Sequence, residues 1–345
     1  MTEKTPITFK PKQVVKRLLS VLGDRSQDVI MSRFGLGNET KRMTLEAIGK
    51  KYKITRERVR QIENYSIINI RKSKEYAKEK VVFDEIRNMI SDLGSTISEE
   101  SLLKHVSKEK SIQNHIHFLM TVGEDFHREK EDTEFKHRWT VDKELSKKIH
   151  SSLRTLYSTL SDDEILLESD MIEKFLGHLK DVSDKYKNEE IAKRWLNLSK
   201  LIDKNPLGEW GKTSSSNINA KGMRDYAYLV IRRHGSPIHF REVAKLITEL
   251  FNKKAHVATT HNELIKDPRF VLVGRGLYAL SEWGYMSGVV KDVIRGVIEK
   301  GGPMAKDEII KKVLKERYVK ENTIMVNLQN PKYFKKGKDG KYSIA

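Results

Sequence analysis

The sequence predicts a mostly α chain, built from tandem helix-turn-helix and winged-helix domains with short β-hairpin wings. Three observations carry that fold class. Apolar residues recur mostly at spacings of three and four, the helical period, and strand-like runs are short. One stretch, Met43 to Glu63, has the caps, corner and buried stripe of a helix-turn-helix. The last third repeats an order of helices closed by a hairpin.

Composition bounds the partners. At 345 residues the chain has room for about two to four small cores. Its net charge of +18 is uneven. Residues 1–80 carry 20 Lys/Arg against 9 Asp/Glu, residues 81–215 carry 21 against 26, and residues 216–345 carry 25 against 13. Two basic ends on a slightly acidic middle suggest two modules that meet a polyanion. The chain has no cysteine, which excludes disulfides, thiol nucleophiles and thiolate metal sites. No apolar run reaches the length of a membrane helix, and the start MTEKTPITFKPK lacks the apolar core of a secretory signal. The expected location is cytoplasmic and nucleoid-associated, with no membrane partner.

Residues 1–12, with Pro6 and Pro11, read as a polar arm. Val14–Leu22 and Gln27–Phe34 read as short amphipathic helices, the second ended by Gly35 and Gly37. Thr44 then caps a helix that turns Leu45 and Ile48 inward, and Ile54 plugs the corner after Gly49 to Lys53. Thr55 caps a second helix with a buried stripe of Val59, Ile62, Ser66 and Ile70. At roughly 100° per residue, Glu57, Gln61 and Asn64 fall on the far side, flanked by Arg56 and Arg60. A guanidinium for guanine, an amide for adenine and a carboxylate for cytosine make up a major-groove reading set.

Residues Val14 to Ser73, LLSVLGDRSQDVIMSRFGLG leading into TLEAIGKKYKITRERVRQIE, closely resemble region 4 of the sigma-70 class of bacterial RNA polymerase initiation factors. The resemblance implies that the second helix enters the major groove of a −35 element, and that the first part of the module docks on a polymerase flap; plain core packing is the other reading of that part. Position by position, Arg56, Glu57 and Gln61 match base-contacting residues, while Thr55 and Arg58 match phosphate contacts. Arg60, beside the reading row, joins them as a backbone contact. Downstream the chain departs from the family's alanines and leucine, with Asn64-Tyr65-Ser66-Ile67-Ile68-Asn69-Ile70. Residues 1–78 are therefore expected to form a sigma region 4-like domain. Its place at the N-terminus is expected to leave no room upstream for a DNA-melting domain.

Residues 79–144 read as winged-helix-like: helices Val82–Leu93, Glu99–Val106 and Ile112–Val122, then strands near Phe126–Arg128 and Trp139–Val141. Glu129, Glu131, Asp132 and Glu134 in the hairpin loop would repel phosphate, so a packing or protein-contact role is expected there. Residues 145–212 read as a helical or degenerate winged-helix domain, with helices Leu145–Leu160, Met171–Leu179 and Ile191–Ile202 and a short hairpin in IDKNPLGEWGKT. The Gly211-Lys212-Thr213 triplet lacks the glycine, strand and helix of a phosphate loop. Residues 213–222, rich in Ser and Asn, read as a linker.

Residues 223–286 and 287–345 repeat one another. Ser236-Pro237-Ile238 recurs as Gly302-Pro303-Met304, Asp267-Pro268-Arg269-Phe270 as Asn330-Pro331-Lys332-Tyr333, and Gly276-Leu277-Tyr278 as Gly340-Lys341-Tyr342. Each copy has the winged-helix order. The first, Met223 to about Tyr285, resembles the HARE winged-helix family, found in RNA polymerase delta subunits and in chromatin- and DNA-modifying proteins. Further candidate DNA contacts are Thr260 and His261 after the third helix's cap, with Arg275, Lys335, Lys336 and Lys338 at the wing tips.

No active site is legible. His115 and His117 stand two apart on a helix without a zinc motif, there is no Gly-x-Ser-x-Gly elbow, and paired carboxylates occur only on charged faces. The expectation is a non-enzymatic, DNA-binding transcription protein without a cofactor or small-molecule substrate. Its expected partners are double-stranded DNA, through a −35-like promoter element, and bacterial RNA polymerase. The alternative is a polymerase- or chromosome-associated interaction protein that uses winged helices as protein docks.

Overall fold

The computed structural model describes residues 7–286 and 288–345. It is mostly helical with small antiparallel hairpins, the expected fold class. The chain divides into two compact units: residues up to Asp203 with Trp210–Thr213, and Lys204–Glu209 with Ser214–Ala345.

The first unit opens with α1 (Pro11–Leu19), α2 (Asp24–Phe34), α3 (Leu45–Tyr52), α4 (Arg56–Arg71) and α5 (Lys74–Lys78). Of the expected arm, residues 1–6 with Pro6 lie outside the described residues. The remainder is anchored, because Thr8 donates from its N–H and hydroxyl to Glu85 at 2.5 and 2.7 Å, and Pro11 opens α1. Gly35 ends α2 with φ +62°, where a Cβ would meet the Thr40 carbonyl oxygen at 2.7 Å.

Next come α6 (Lys80–Asp92), β1 (Thr96–Ser98), α7 (Glu99–Val106), α8 (Lys110–Val122), β2 (His127–Glu129) and β3 (Arg138–Thr140), with sheet order β1-β3-β2. α8 is apolar around most of its surface, and Ile116, Phe118, Leu119 and Met120 are all fully buried. A helix of that kind needs cover on both sides. α7 lies on one side, while α1, α2 and α4 pack on the others. A single core therefore runs from Val14, Leu18, Ile30 and Phe34 through Ile70 to Ile86, Leu102, Phe118 and Trp139. The apolar faces of α1 and α2 are spent in that core. Buried Asn114 on α8 secures the seam, donating to the carbonyls of Gly35 and Thr40 at 3.0 and 2.8 Å and accepting from Arg42 at 2.8 Å.

The same order of elements follows in α9 (Lys143–Thr159), α10 (Glu168–His178), α11 (Glu189–Leu196), β4 (Ile202–Lys204) and β5 (Trp210–Lys212). Leu166 bridges Trp210 and so takes the place of the first strand. The helix expected over Ile191–Ile202 stops at Leu196, where the Ser199 hydroxyl accepts from the N–H groups of Leu201 and Ile202 and turns the chain into β4. The acidic wing loop faces this neighbour: Glu131 pairs with Lys200 at 2.6 Å and Glu134 with Arg154 at 2.7 Å. Between those pairs Phe135 enters the core of Leu153, Phe175 and Trp195.

The second unit holds α12 (Met223–His234), β6 (Ile238–His239), α13 (Phe240–Phe251), α14 (Val257–Lys266), β7 (Phe270–Gly274) and β8 (Leu277–Leu280), with sheet order β6-β8-β7. Then come α15 (Val290–Gly301), α16 (Lys306–Glu316), α17 (Glu321–Leu328), β9 (Phe334–Lys336) and β10 (Tyr342–Ile344), with Met304 bridging Tyr342. Within the stretch read as a linker, Ser215, Asn217 and Ile218 are buried, so that stretch is folded. Arg317, 3% exposed, fastens the two winged helices of this unit. Its guanidinium donates to the carbonyls of Leu272, Met286 and Gly288, and the Tyr318 N–H reaches the Val273 carbonyl at 2.7 Å.

Candidate nucleic-acid interface

The interface is built on α3 and α4. The Thr44 hydroxyl accepts from the Ala47 N–H at 3.2 Å and starts α3; the Thr55 hydroxyl accepts from the Arg58 N–H at 3.1 Å and starts α4. Lys53 at φ 54° turns the corner. Close approach of the two helices requires Gly49, where a Cβ would meet the Ile54 carbonyl oxygen at 2.7 Å. Val59, Ser66 and Ile70 are buried, and Ile62 is half-buried beside Val29, Ile48 and Val59. The buried Ser66 hydroxyl donates to the Ile62 carbonyl at 2.7 Å, which removes its burial cost.

With that stripe inward, Arg56, Glu57, Arg58, Arg60 and Gln61 are all exposed on the first turns of α4. Four of them are paired among themselves. Arg60 donates from Nε and Nη2 to Glu57 at 2.9 and 2.7 Å, and Arg58 donates to the Gln61 side-chain oxygen at 3.1 Å. The hydrogen bonds from Arg60 hold the Glu57 carboxyl below its usual range. Among the described residues Arg56 has no ion pair. The face thus offers one unengaged guanidinium and two weak surface pairs that a base edge or phosphate can displace.

The helix is aimed by residues that the sequence did not mark. Arg33 on α2 pairs with Glu63 at 3.3 Å and donates to the Met43 carbonyl at 3.1 Å. Arg71 donates to the carbonyls of Val122 and Thr121 at the end of α8. Apart from Met43, ten positions on, their partners lie 30 to 51 positions away, beyond the reach of a local pattern.

Residues 18–72 match the family model for Sigma-70, region 4. The N-terminal segment carries that region. Over 60 residues the chain is 45% identical to the RNA polymerase sigma factor RpoD of Helicobacter pylori, covering 17% of this chain and 9% of that protein. It is 40% identical over 60 residues to sigma factor SigA of Lactococcus lactis subsp. cremoris, 17% of this chain and 16% of that protein. It is 31% identical over 70 residues to the principal sigma factor HrdD of Streptomyces griseus, 20% of this chain and 21% of that protein. The chain therefore spans only about a tenth to a fifth of these relatives' lengths.

The remaining candidate contacts lie in the second unit, and one of them needs correction. Thr260 is fully buried, and its hydroxyl donates to the His256 carbonyl at 3.1 Å, so it faces its own core and not a ligand. His261 is half-buried and stacks on Phe240 at 4.1 Å. Arg275, Lys335, Lys336 and Lys338 are exposed on the β7–β8 and β9–β10 hairpins. No group of His, Asp and Glu among the described residues could hold a metal ion, and no described helix is long and apolar enough to cross a membrane.

Proposed function

We propose that this chain is a DNA-binding transcription protein whose region 4 module reads a −35-like promoter element and which acts with bacterial RNA polymerase as an accessory factor at the nucleoid. The observation that carries this reading is the exposed row Arg56, Glu57 and Gln61 on a helix whose opposite stripe is buried. Arg56 and Gln61 reach base edges, Glu57 accepts from cytosine, and Thr55, Arg58 and Arg60 hold phosphates. The winged helix at 223–286 is read as a HARE-type domain on the resemblance of the stretch from Met223 to about Tyr285. The role is binding, without a catalytic group.

A second reading is favoured by the first winged helix, whose α8 is buried and whose wing is neutralised by ion pairs. Winged helices there serve as protein docks. One experiment separates the two readings: binding of the full chain to a duplex bearing a −35-like element and to a scrambled duplex, with a parallel pull-down on core RNA polymerase. Promoter reading requires tighter binding to the element. Equal binding to both duplexes, with retention on polymerase, supports the docking role instead.

A further inference from the structure

Four times the chain runs helix, strand, helix, helix, strand, strand, and the third helices of the four copies have different fates. α8 is enclosed by α1, α2, α4 and α7. α11 lies against β1, and its buried Trp195 donates from Nε1 to the Gly94 carbonyl at 3.0 Å. By contrast α14 packs on α12, α13 and β7, and α17 on α15 and α16, each within its own domain. Among the described residues α14 and α17 thus keep a face open to an outside ligand.

The wings differ in the same way. In the first copy Arg138 is tied to Glu129 and Asp132, and Arg128 to Glu99. In the last copy Lys335, Lys336, Lys338 and Lys341 are exposed on one short hairpin, with Lys332 just before it. The hairpin's acid, Asp339, is turned onto the Lys341 backbone N–H at 3.2 Å. Among the described residues none of these lysines has an ion pair. Lysines on an edge strand discourage strand pairing, but the same cations continue past the strands, before β9 and round the turn.

We propose that the C-terminal winged helix is a second duplex-DNA site, indifferent to sequence, in which the wing lysines neutralise phosphates and the exposed Asn322, Thr323 and Val326 of α17 enter the major groove. This goes beyond the region 4 reading and does not depend on it. Duplex DNA is favoured over duplex RNA because the deep, narrow major groove of A-form RNA does not admit a helix. It is favoured over an acidic protein because lysine is depleted at protein interfaces, which rely on aromatic and arginine anchors.

The test uses the full chain and a random-sequence duplex, with affinity followed from low to physiological salt. Changing Lys335→Gln, Lys336→Gln and Lys338→Gln together should weaken binding about tenfold or more and reduce the slope of log affinity against log salt by about 2 to 3. The three lysines are exposed, so the thermal midpoint should stay unchanged. Arginine at the same three positions should keep the wild-type slope. An unchanged slope in the glutamine variant overturns the proposal, as does tighter binding of duplex RNA than of duplex DNA.

Discussion

Nε of Arg71, the last residue of α4, donates to the carbonyl oxygen of Val122, the last residue of α8, at 2.7 Å. Nη2 of the same side chain reaches the Thr121 carbonyl at 3.2 Å. The end of α4 is thus fixed by the winged helix that follows it, and the cation sits favourably at the negative end of α8. Whatever orients α8 orients the exposed row of Arg56, Glu57 and Gln61.

Arg71→Met keeps the aliphatic stem but leaves both carbonyls without this donor. It should cost about 1–3 kcal/mol in chemical denaturation. A change below about 0.5 kcal/mol would show that solvent replaces the guanidinium and that α4 is held by its stripe alone.

Base reading and phosphate holding should separate by mutation. Arg56→Ala and Gln61→Ala are each expected to weaken the preferred site by about 1–3 kcal/mol while sparing non-specific duplex. Arg58→Ala should lower affinity for every sequence and reduce the salt slope by about 1. Uniform losses from all three, measured on specific and random duplexes, would mean that α4 reads no sequence.

The helix-turn-helix was legible because its signals are local. Two threonine caps, a glycine at the crossing and a stripe at helical spacing all fall within thirty residues of one another. The cover on α8 was less so, although SIQNHIHFLMTV is apolar on too many sides for a one-faced helix. Thr260 was misjudged because a threonine can bond back to the i−4 carbonyl and pack inward, and adjacent residues on a helix point in different directions. The acidic wing reads as a packing surface and packs on the next domain, yet its partners Arg154 and Lys200 lie too far along the chain to be inferred. A single bridging residue such as Leu166 leaves no strand pattern at all.

Acid should weaken the first unit in two windows. Burial, with Arg138 nearby, holds His150 down to about 4 from 6.5. The unfolded chain then takes up the proton first, so stability present above pH 6.5 is lost as the pH falls toward 4, by up to ~3 kcal/mol. His150→Phe, which keeps a ring against Phe135, should flatten the stability curve in that window. A variant curve parallel to wild type there would remove His150 as the cause.

Below that window Glu99 takes over. Burial pushes its carboxyl up, but His117, Arg128 and the Trp139 N–H outweigh burial and hold it to about 2 from 4.5. The depressed value stabilises the fold above pH 4.5, and that contribution is lost as the pH falls toward 2, again up to ~3 kcal/mol. Glu99→Gln should be less stable at neutral pH and should lose stability less steeply than wild type between those limits. Denaturant midpoints measured across the range decide it, and a variant with the wild-type acid slope would exonerate Glu99.

Promoter opening makes the last demand. Unpaired bases must be trapped, usually by aromatic side chains in basic surroundings. Here Trp139, Trp195 and Trp210 are fully buried, and Trp283 packs against Val271, Val273 and Ala279. The match to the sigma-70 region 4 model covers residues 18–72, which hold the helix-turn-helix. With core polymerase alone, the protein should therefore give no transcripts from a fully duplex promoter. Supplying a complete sigma factor, or a promoter already opened as a bubble, should restore transcripts that this protein modulates. Permanganate footprinting checks the step directly: thymines near the start site should stay unreactive with only this protein and core enzyme present, and their reactivity would overturn the accessory role.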